Sequence, residues 1–313
     1  MMQSVASIPD LSLDEALARV DKCFDDHTIT ERKVDSKGVL EYYRQSDRAY
    51  RMFHSREGAL HIGLTPDRNG EAGDVGHARH AELFAAELDA VSAMQAIEFG
   101  CGTGYNVRTL ALQMAERQFL GVDLSERHIV AARKDAAGIA NLEFQVANYE
   151  NLSVDDASFD GVLAVETLCQ TDDQSSALQE AFRILRPGGR MLVIDCFRNE
   201  LLENLEEDLR RAALLVEKTA AVDAFALIGE WRELCESIGF HVRDVCDRSA
   251  ETARDLARLY QMARRFFKMS LAVKVIRRAM PPLAVENAIC GLLMPYTVGH
   301  GAHGYYSIVL EKP

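Results

Sequence analysis

The sequence predicts an α/β fold built on a doubly wound, mostly parallel sheet of seven strands, with a helical cap at its N-terminus. Two observations lead to this prediction. Short apolar runs alternate with amphipathic segments after about residue 90, as they do in consecutive βαβ units. A glycine cluster follows the first of these runs, where such sheets turn from strand into helix. A chain of 313 residues, 48% of them hydrophobic, suffices for one core of this kind with additions.

The segment 1–80 is predicted to form the helical cap. It is polar and interrupted by Gly and Pro, and its apolar residues recur at helical spacing over 13–24 and 39–53. A helix over 77–88, rich in Ala and Leu, leads out of the cap. We therefore divide the chain into the cap and a sheet domain, residues 81–313.

The strands are predicted from the apolar runs, five in the βαβ pattern and two after helical insertions. They are placed at 96–99, 119–123, 142–146, 161–165, 190–195, 241–245 and 305–310. The insertions span about 198–227 and 250–295, and Pro281-Pro282 breaks the second. Because both insertions leave the carboxyl ends of strands, we expect them to roof the ligand crevice.

Composition excludes several classes of protein. Thirty-five basic against 48 acidic side chains give a net charge of -13, which repels the phosphate backbone of nucleic acids. The seven cysteines are odd in number and include no C-x-x-C pair, so we expect free thiols. Residues 1–14 lack the pattern of a secretory signal, and no run reaches about 18 apolar residues. We therefore expect a soluble, cytoplasmic protein that binds no nucleic acid.

The run Gly100-Cys101-Gly102-Thr103-Gly104 indicates a cofactor site. Glycines at these positions let the backbone turn tightly and approach a ligand where a Cβ would clash. A dinucleotide fingerprint would need glycine at Tyr105. The spacing therefore favours an adenosyl ligand without a pyrophosphate over a nicotinamide cofactor, and disfavours an oxidoreductase.

Polar residues end the second and third predicted strands. Asp123 lies 19 residues after Gly104, where a carboxylate can accept both ribose hydroxyls. The alternative is that Asp123 caps a helix beginning near Ser125. The amide of Asn148 can pair with the exocyclic amine of adenine, and Tyr149 can flank the ring.

These motifs together resemble the class I S-adenosylmethionine-dependent methyltransferases, which have a Rossmann-like fold. The resemblance covers about residues 80–197 and includes Leu185-Arg186-Pro187-Gly188-Gly189. It implies S-adenosylmethionine as cofactor, with its methionine part held by Glu98 and the glycines, its ribose by Asp123 and its adenine by Asn148. The family commonly has Asp at the position of Asn148. The residues predicted to bind the cofactor are Tyr43, Glu98, Gly100, Gly102, Gly104, Asp123, Leu124, Asn148 and Tyr149.

The run Val165-Glu166-Thr167-Leu168-Cys169-Gln170 is similar to the sterol and related isoprenoid C-methyltransferases. In that pattern an acidic residue, a cysteine and a histidine follow the fourth strand, and Gln170 replaces the histidine here. The runs 42–50 and 60–64 are similar to the cap of that group and of the cyclopropane-forming enzymes, where a tyrosine touches the cofactor. The resemblance implies methylation of a carbon in a lipophilic, alkene-bearing isoprenoid, a prenyl diphosphate or a sterol-like molecule.

Methylation of an alkene carbon leaves a carbocation, which a fixed carboxylate and aromatic faces stabilise in a dry pocket. Glu166 is the candidate carboxylate, and Glu166 or His61 is the candidate base for the later loss of a proton. A strand-end salt bridge is the alternative for Glu166, and core packing is the alternative for each aromatic residue. The residues predicted to contact substrate are Tyr42, Tyr50, Phe53, Gln170, Tyr296 and Tyr305.

Two other functions share the cofactor motifs. An O- or N-methyltransferase of a natural product or small amine would use His54 or His61 as its base. A catalytically silent subunit would bind the cofactor alone. The sequence also leaves open whether the cap or the insertions pair with a second copy of the chain.

The segment 250–280 is basic in an acidic protein, with eight Arg and Lys against Glu251 and Asp255. It could be a solvated helix face, a grip on an anionic head group, or a surface that lies on a membrane. Asp172-Asp173 could carry Mg²⁺ for a diphosphate substrate or cap the helix that begins near Ser175.

The pairs His77-x-x-His80 and His300-x-x-His303 have a spacing typical of metal ligands. No nearby carboxylate or cysteine completes either pair in the sequence. We therefore expect surface or core histidines and predict no bound metal at these pairs.

Overall fold

The computed structural model describes residues 9–65 and 76–313. Its centre is one seven-stranded sheet in the order β3-β2-β1-β4-β5-β7-β6, in which β1 to β5 are parallel and β7 is antiparallel to both of its neighbours. The strands are β1 Gln95–Phe99, β2 Gln118–Asp123, β3 Leu142–Val146, β4 Phe159–Val165, β5 Leu185–Arg198, β6 His241–Asp247 and β7 His303–Glu311. The predicted doubly wound, mostly parallel sheet of seven strands is confirmed.

Twelve α-helices surround the sheet within the described residues. They are α1 Leu13–Asp21, α2 Asp26–Thr30, α3 Ser36–Ala49, α4 Arg79–Ala90, α5 Tyr105–Gln113, α6 Glu126–Asp135, α7 Gln174–Ile184, α8 Glu207–Thr219, α9 Ile228–Ile238, α10 Ala253–Phe267, α11 Ser270–Ala279 and α12 Pro282–Gly299. A π-helical turn, Tyr50–His54, follows α3. The short helix α2 was not predicted, and α12 continues through Pro295 because its apolar side chains are buried on several sides.

The strand order places a switch point between β1 and β4. From β1 the chain moves outward through β2 to β3 and then returns to β4 on the other side of β1. In such sheets the loops at the carboxyl ends of the strands diverge at the switch point and leave a crevice. Here those loops are the glycine turn after β1 and the segment after β4.

The cap and the insertions form one helical layer rather than separate bodies. Helix α12 packs against α1, α3, α8 and α10, and α2 packs against α8. Apolar residues of α12 are fully buried in this layer, among them Ile289, Leu292 and Leu293. The N-terminal helices are therefore held in place by the segments predicted as insertions.

The seven cysteines are all free thiols, as predicted, and Cys23, Cys101, Cys196 and Cys235 are buried. Within residues 9–65 and 76–313, no helix combines the length and the apolar character needed to cross a bilayer.

Candidate active site

A cavity opens at the carboxyl ends of β1, β2 and β4. It encloses about 940 Å³, part of it open to solvent, and is roofed by α3 and by residues 58–61. Eight of the nine residues predicted to bind the cofactor line this cavity, and Gly104 does not. The eight are Tyr43, Glu98, Gly100, Gly102, Asp123, Leu124, Asn148 and Tyr149.

The turn after β1 needs glycine at two positions for close approach. Gly100 and Gly102 have φ angles of +61° and +53°, which L side chains rarely adopt. A Cβ at Gly100 would clash with the side chain of Thr167, and one at Gly102 would lie 2.8 Å from Leu60 Cδ1. The turn therefore forms a cradle that a Cβ would fill.

Gly104 packs against another strand and does not line the cavity. It precedes α5 with a φ of +79°, and a Cβ there would lie 2.6 Å from the Phe144 ring. Its lack of a side chain lets α5 pack against β3. Gly104 thus has a packing role here, and its assignment to the methionine part of the cofactor stays a prediction.

Glu98 lies at the floor of the cavity and is buried. Its carboxylate accepts hydrogen bonds from Asn106 Nδ2 at 2.9 Å and from the Val107 amide at 3.3 Å. Burial nevertheless raises its pKa to about 8. A cationic group of a ligand beside it would favour the ionised form, as the resemblance implies for the methionine ammonium. The sequence analysis missed Asn106, whose only signal is its place two residues after the glycine turn.

Asp123 ends β2 and faces the same cavity. Its carboxylate accepts hydrogen bonds from the amides of Gly102 at 2.9 Å and Ser125 at 2.7 Å. The side chain that caps α6 is Ser125, not Asp123. The carboxylate is therefore positioned by backbone amides at the edge of the cradle, where a ribose could reach it.

Asn148 and Tyr149 lie beyond β3. Glu150 holds the side-chain amide of Asn148. Asn148 Nδ2 donates to the Glu150 carboxylate at 3.3 Å, and Asn148 Oδ1 accepts from the Glu150 backbone amide at 3.0 Å. The Tyr149 ring stacks on Phe99 with an interplanar angle of 8°, and its hydroxyl donates to the Thr167 carbonyl. Both side chains line the cavity from fixed positions.

A charged contact that the sequence analysis missed joins the roof to the cofactor end of the cavity. His128 on α6 lies between Asp47 of α3, at 3.1 Å, and Asp123, at 3.6 Å. Burial opposes its charge, but hydrogen bonding to Asp123 and Asp47 raises the pKa of His128 to about 9. At neutral pH His128 is therefore a cation between two carboxylates.

Glu166 follows β4 and also lines the cavity. Its φ of +45° is a strained conformation for a residue with a side chain. Its Oε1 accepts hydrogen bonds from the Tyr305 hydroxyl and from the Ile62 amide, both at 2.7 Å. Burial raises the pKa of the carboxyl to about 8 despite these bonds.

His61 lies in the lining but is held by other groups. Its Nε2 is 3.2 Å from Asn106 Oδ1 and its Nδ1 is 3.3 Å from the Ile62 carbonyl. Burial and the neighbouring His80 keep its pKa well below the ordinary range, so it is neutral. Since a neutral imidazole has one N–H, His61 donates to one of these two oxygens, and its low pKa favours a positioning role over the predicted role of base.

Of the six residues predicted to contact substrate, one lines the cavity, three lie behind its lining and two lie away from it. Gln170 lines the cavity and accepts a hydrogen bond from Tyr43 at 3.2 Å. Behind this lining, the hydroxyls of Tyr42 and Tyr50 are 2.8 Å apart. Tyr305 is buried behind Glu166.

Phe53 and Tyr296 lie away from the cavity, contrary to their predicted contact with substrate. Phe53 is 53% exposed in the π-helical turn. Tyr296 is buried in the helical layer, where its hydroxyl donates to the Leu11 carbonyl. The residue type of Phe53 and Tyr296 did not predict their neighbours, because those depend on how the helices pack.

Asp172 and Asp173 hold helix N-termini. Asp173 caps α7 by accepting from the amides of Ser175 and Ser176, which confirms the capping alternative. Asp172 accepts a hydrogen bond from the Ser36 amide at the start of α3. Neither carboxylate is arranged with the other as a Mg²⁺ site.

His77 lies near another histidine and a carboxylate that its spacing in the sequence did not indicate. In the described ranges, one group of three side chains could hold a metal ion, and it joins His77 to His54 and Asp255 rather than to His80. Asp255 was overlooked because it lies far along the chain. Its carboxylate is already paired with Arg258 at 2.7 Å and accepts the Gly63 amide. The group therefore carries little negative charge to attract a cation.

The insertions support the roof instead of forming it. No residue of 198–227 or 250–295 is among those that line this cavity. Arg264 pairs with Asp10, and Arg277 lies over the Phe24 ring and donates to the Cys23 carbonyl. These arginines hold the N-terminal segment, so the grip on a substrate head group, one of the three alternatives for 250–280, is not seen at them.

A mostly parallel sheet with a glycine cradle after β1, a carboxylate ending β2 and a roofed cavity defines an S-adenosylmethionine-dependent methyltransferase of the Rossmann-like class. Residues 90–263 match the family model described as a methyltransferase domain, and the chain belongs to that family. S-adenosylmethionine is its cofactor, and the cradle of Gly100 and Gly102 beside Asp123 fits it.

Three comparisons illustrate the range of relatives. The chain is 30% identical to the O-methyltransferase resE of Aspergillus sclerotiorum over 61% of this chain and 71% of the relative. It is 25% identical to the sterol 24-C-methyltransferase erg6 of Aspergillus fumigatus over 55% of this chain and 47% of the relative. The geranyl diphosphate C-methyltransferase of Streptomyces coelicolor superimposes with a TM-score of 0.64 at 15% identity, covering 88% of this chain and 97% of that one. The last likeness is one of fold alone.

Proposed function

We propose that the protein methylates an uncharged, lipophilic small molecule and that Glu166 removes the proton of the acceptor. The observation that carries this proposal is a half-buried carboxyl in the cavity lining, held by two hydrogen bonds of 2.7 Å, with a pKa of about 8. A general base works best when its pKa lies near the working pH. The strained backbone of Glu166 is also typical of residues held in place for function.

The charge of the lining supports an uncharged acceptor. Among the residues that the structure describes, the lining includes no Arg or Lys, and His128 at one edge is the cation described above. A diphosphate would meet acidic groups and no cationic Arg or Lys among the described lining residues, which disfavours its binding. The acidic lining therefore disfavours a prenyl diphosphate as the acceptor. The same lining favours the sulfonium cation of S-adenosylmethionine. The carboxylates of the lining are Glu98, Asp123, Glu150, Glu166 and Asp172.

A hydroxyl oxygen is the acceptor that we favour. S-adenosylmethionine supplies an electrophilic methyl group when bound, and an oxygen acceptor loses its proton as the new bond forms. Glu166 in its ionised form takes that proton, with Tyr305 and the Ile62 amide holding its carboxylate in place. The 30% identity with an O-methyltransferase supports this choice.

An alkene carbon of an uncharged, sterol-like isoprenoid is the second candidate. The run 165–170 and the similarity to a sterol C-methyltransferase favour it. The Glu166 carboxylate would then stabilise the cation and accept the proton that the cation loses. Against this candidate, Phe53 and Tyr296, which were expected to face the cation, lie elsewhere.

The test is transfer of a labelled methyl group to sterols, phenols, lipophilic alcohols, prenyl diphosphates and amines, with the labelled atom located by NMR. We expect label on oxygen of an uncharged acceptor, and Glu166→Gln should lower kcat by about 10²-fold or more while cofactor affinity is retained. Glu143→Gln, on the exposed side of β3, controls for the loss of a carboxylate elsewhere. Unchanged turnover in Glu166→Gln, or a preference for diphosphates, would contradict the proposal, and label on carbon would select the second candidate.

A further inference from the structure

The short helix α11 and its ends carry the densest group of exposed apolar side chains in the described residues. Four large apolar residues lie within twelve positions of the chain. Met269, Leu271, Val275 and Met280 are 62%, 78%, 59% and 46% exposed. Side chains of this kind cost free energy when they face water, so a cluster of them marks a contact surface.

The geometry of α11 places the central pair of these residues on its outer side. Val273 is fully buried and Arg277 lies over the Phe24 ring, so this side of α11 is anchored to the protein. Leu271 and Val275 are one turn apart and lie roughly opposite Val273 on the helix. We call Met269, Leu271, Lys274, Val275, Arg278 and Met280 the α11 face.

Cations surround the apolar residues of the α11 face. The run 265–280 contains five Arg and Lys and no Asp or Glu, in a protein with a net charge of -13. Within the described ranges, Arg265, Lys268, Lys274 and Arg278 form no ion pair. Within the described part of the chain, the positive charge of these four residues is therefore not neutralised by an ion pair.

We propose that the α11 face docks the protein on an anionic lipid surface. Apolar side chains at the centre of the face would enter the boundary between head groups and acyl chains, and the cations around them would pair with lipid phosphates. A second copy of the chain is a poorer occupant, because a twofold contact would bring the same cations together. The inference is independent of the acceptor proposed above.

The test is flotation of the full chain with vesicles of phosphatidylcholine, with and without phosphatidylglycerol. We expect binding to the anionic vesicles that weakens with salt. Two double variants, Leu271→Gln with Val275→Gln and Lys274→Gln with Arg278→Gln, should each lower the partition coefficient by about tenfold or more. The matched control is Leu112→Gln with Val130→Gln, which removes apolar residues that are 67% and 60% exposed on α5 and α6.

Cofactor binding by each variant, measured in the same preparations, verifies that the fold is intact. The proposal would be supported if the wild type and the control variant float equally well and the α11 variants do not. Failure of the wild type to float, or equal flotation of the α11 variants, would overturn it. A wild-type dimer that the α11 variants dissociate, without vesicle binding, would overturn it in favour of a second copy.

Discussion

The hydroxyl of Tyr305 donates a hydrogen bond of 2.7 Å to the carboxylate of Glu166, although 139 positions separate them in the chain. The same hydroxyl is 3.0 Å from Nε2 of His80. Tyr305 and His80 are buried and Glu166 is half-buried at the cavity, so the protonation of Glu166 depends on a hydrogen-bond network that reaches from α4 to the last strand.

The first prediction concerns the pH dependence of turnover. Burial raises the pKa of Glu166 to about 8, so its carboxyl is mostly protonated below that pH and ionised above it. If the ionised form is the base, kcat should rise with pH and level off above about 8. A single-turnover pH profile measures this, and a rate that falls over the same range would contradict the role of Glu166.

The second prediction concerns Tyr305→Phe. The hydrogen bond from Tyr305 lowers the pKa of Glu166, so its loss should move the rising limb of the pH profile upward. We expect kcat near neutral pH to fall about tenfold, in line with the loss of one charge-assisted hydrogen bond. Tyr306→Phe is the control, because the Tyr306 hydroxyl donates to Asn199 instead. A limb that stays in place in Tyr305→Phe would refute the positioning role.

The third prediction concerns the contact between α3 and His128. The folded-state pKa of His128 is about 9, above its unfolded value, so its contribution to stability is complete below about pH 6.5 and is lost as pH rises through about 9. Asp47→Asn removes one of its two carboxylates and should reduce this contribution by about 1 kcal/mol.

Thermal unfolding at pH 6, 8 and 10 tests that expectation. The melting temperature of the wild type should fall as the pH rises from 6 to 10, and that of Asp47→Asn should fall less. Glu126→Gln, at an exposed position of the same helix as His128, is the control for a change in surface charge. Equal pH dependence in Asp47→Asn and the wild type would show that the contact does not hold the roof.

The fourth prediction separates backbone strain from a clash at Gly104. Gly104→Ala would place a methyl group 2.6 Å from the Phe144 ring at a φ of +79°. Gly188→Ala has nearly the same φ, +78°, and nothing within 4 Å of the added Cβ. Both should show the cost of positive φ, about 1 kcal/mol, and Gly104→Ala should lose about 1–3 kcal/mol more. Equal losses by chemical denaturation would mean that Phe144 simply moves aside.

The cofactor half of the site was predictable because its signals are local. The glycine spacing at 100–104 reports a tight turn within five residues, and Asp123 ends a strand whose apolar run is visible in the sequence. Parallel strands bring their carboxyl ends to one edge, so these positions meet once the strand order is known. The packing role of Gly104 was not predicted, because its nearest contact, Phe144, belongs to another strand.

By itself, the sequence determined the seven strands, the cradle for S-adenosylmethionine and the basic character of 250–280, because each depends on residue type and short spacing. Only the tertiary structure decided that Tyr305 meets Glu166, that His128 joins Asp47 to Asp123, and that the insertions support the roof without lining the cavity. These outcomes depend on how helices pack over long separations in the chain. Packing is set by the sum of many contacts, so no short pattern records it.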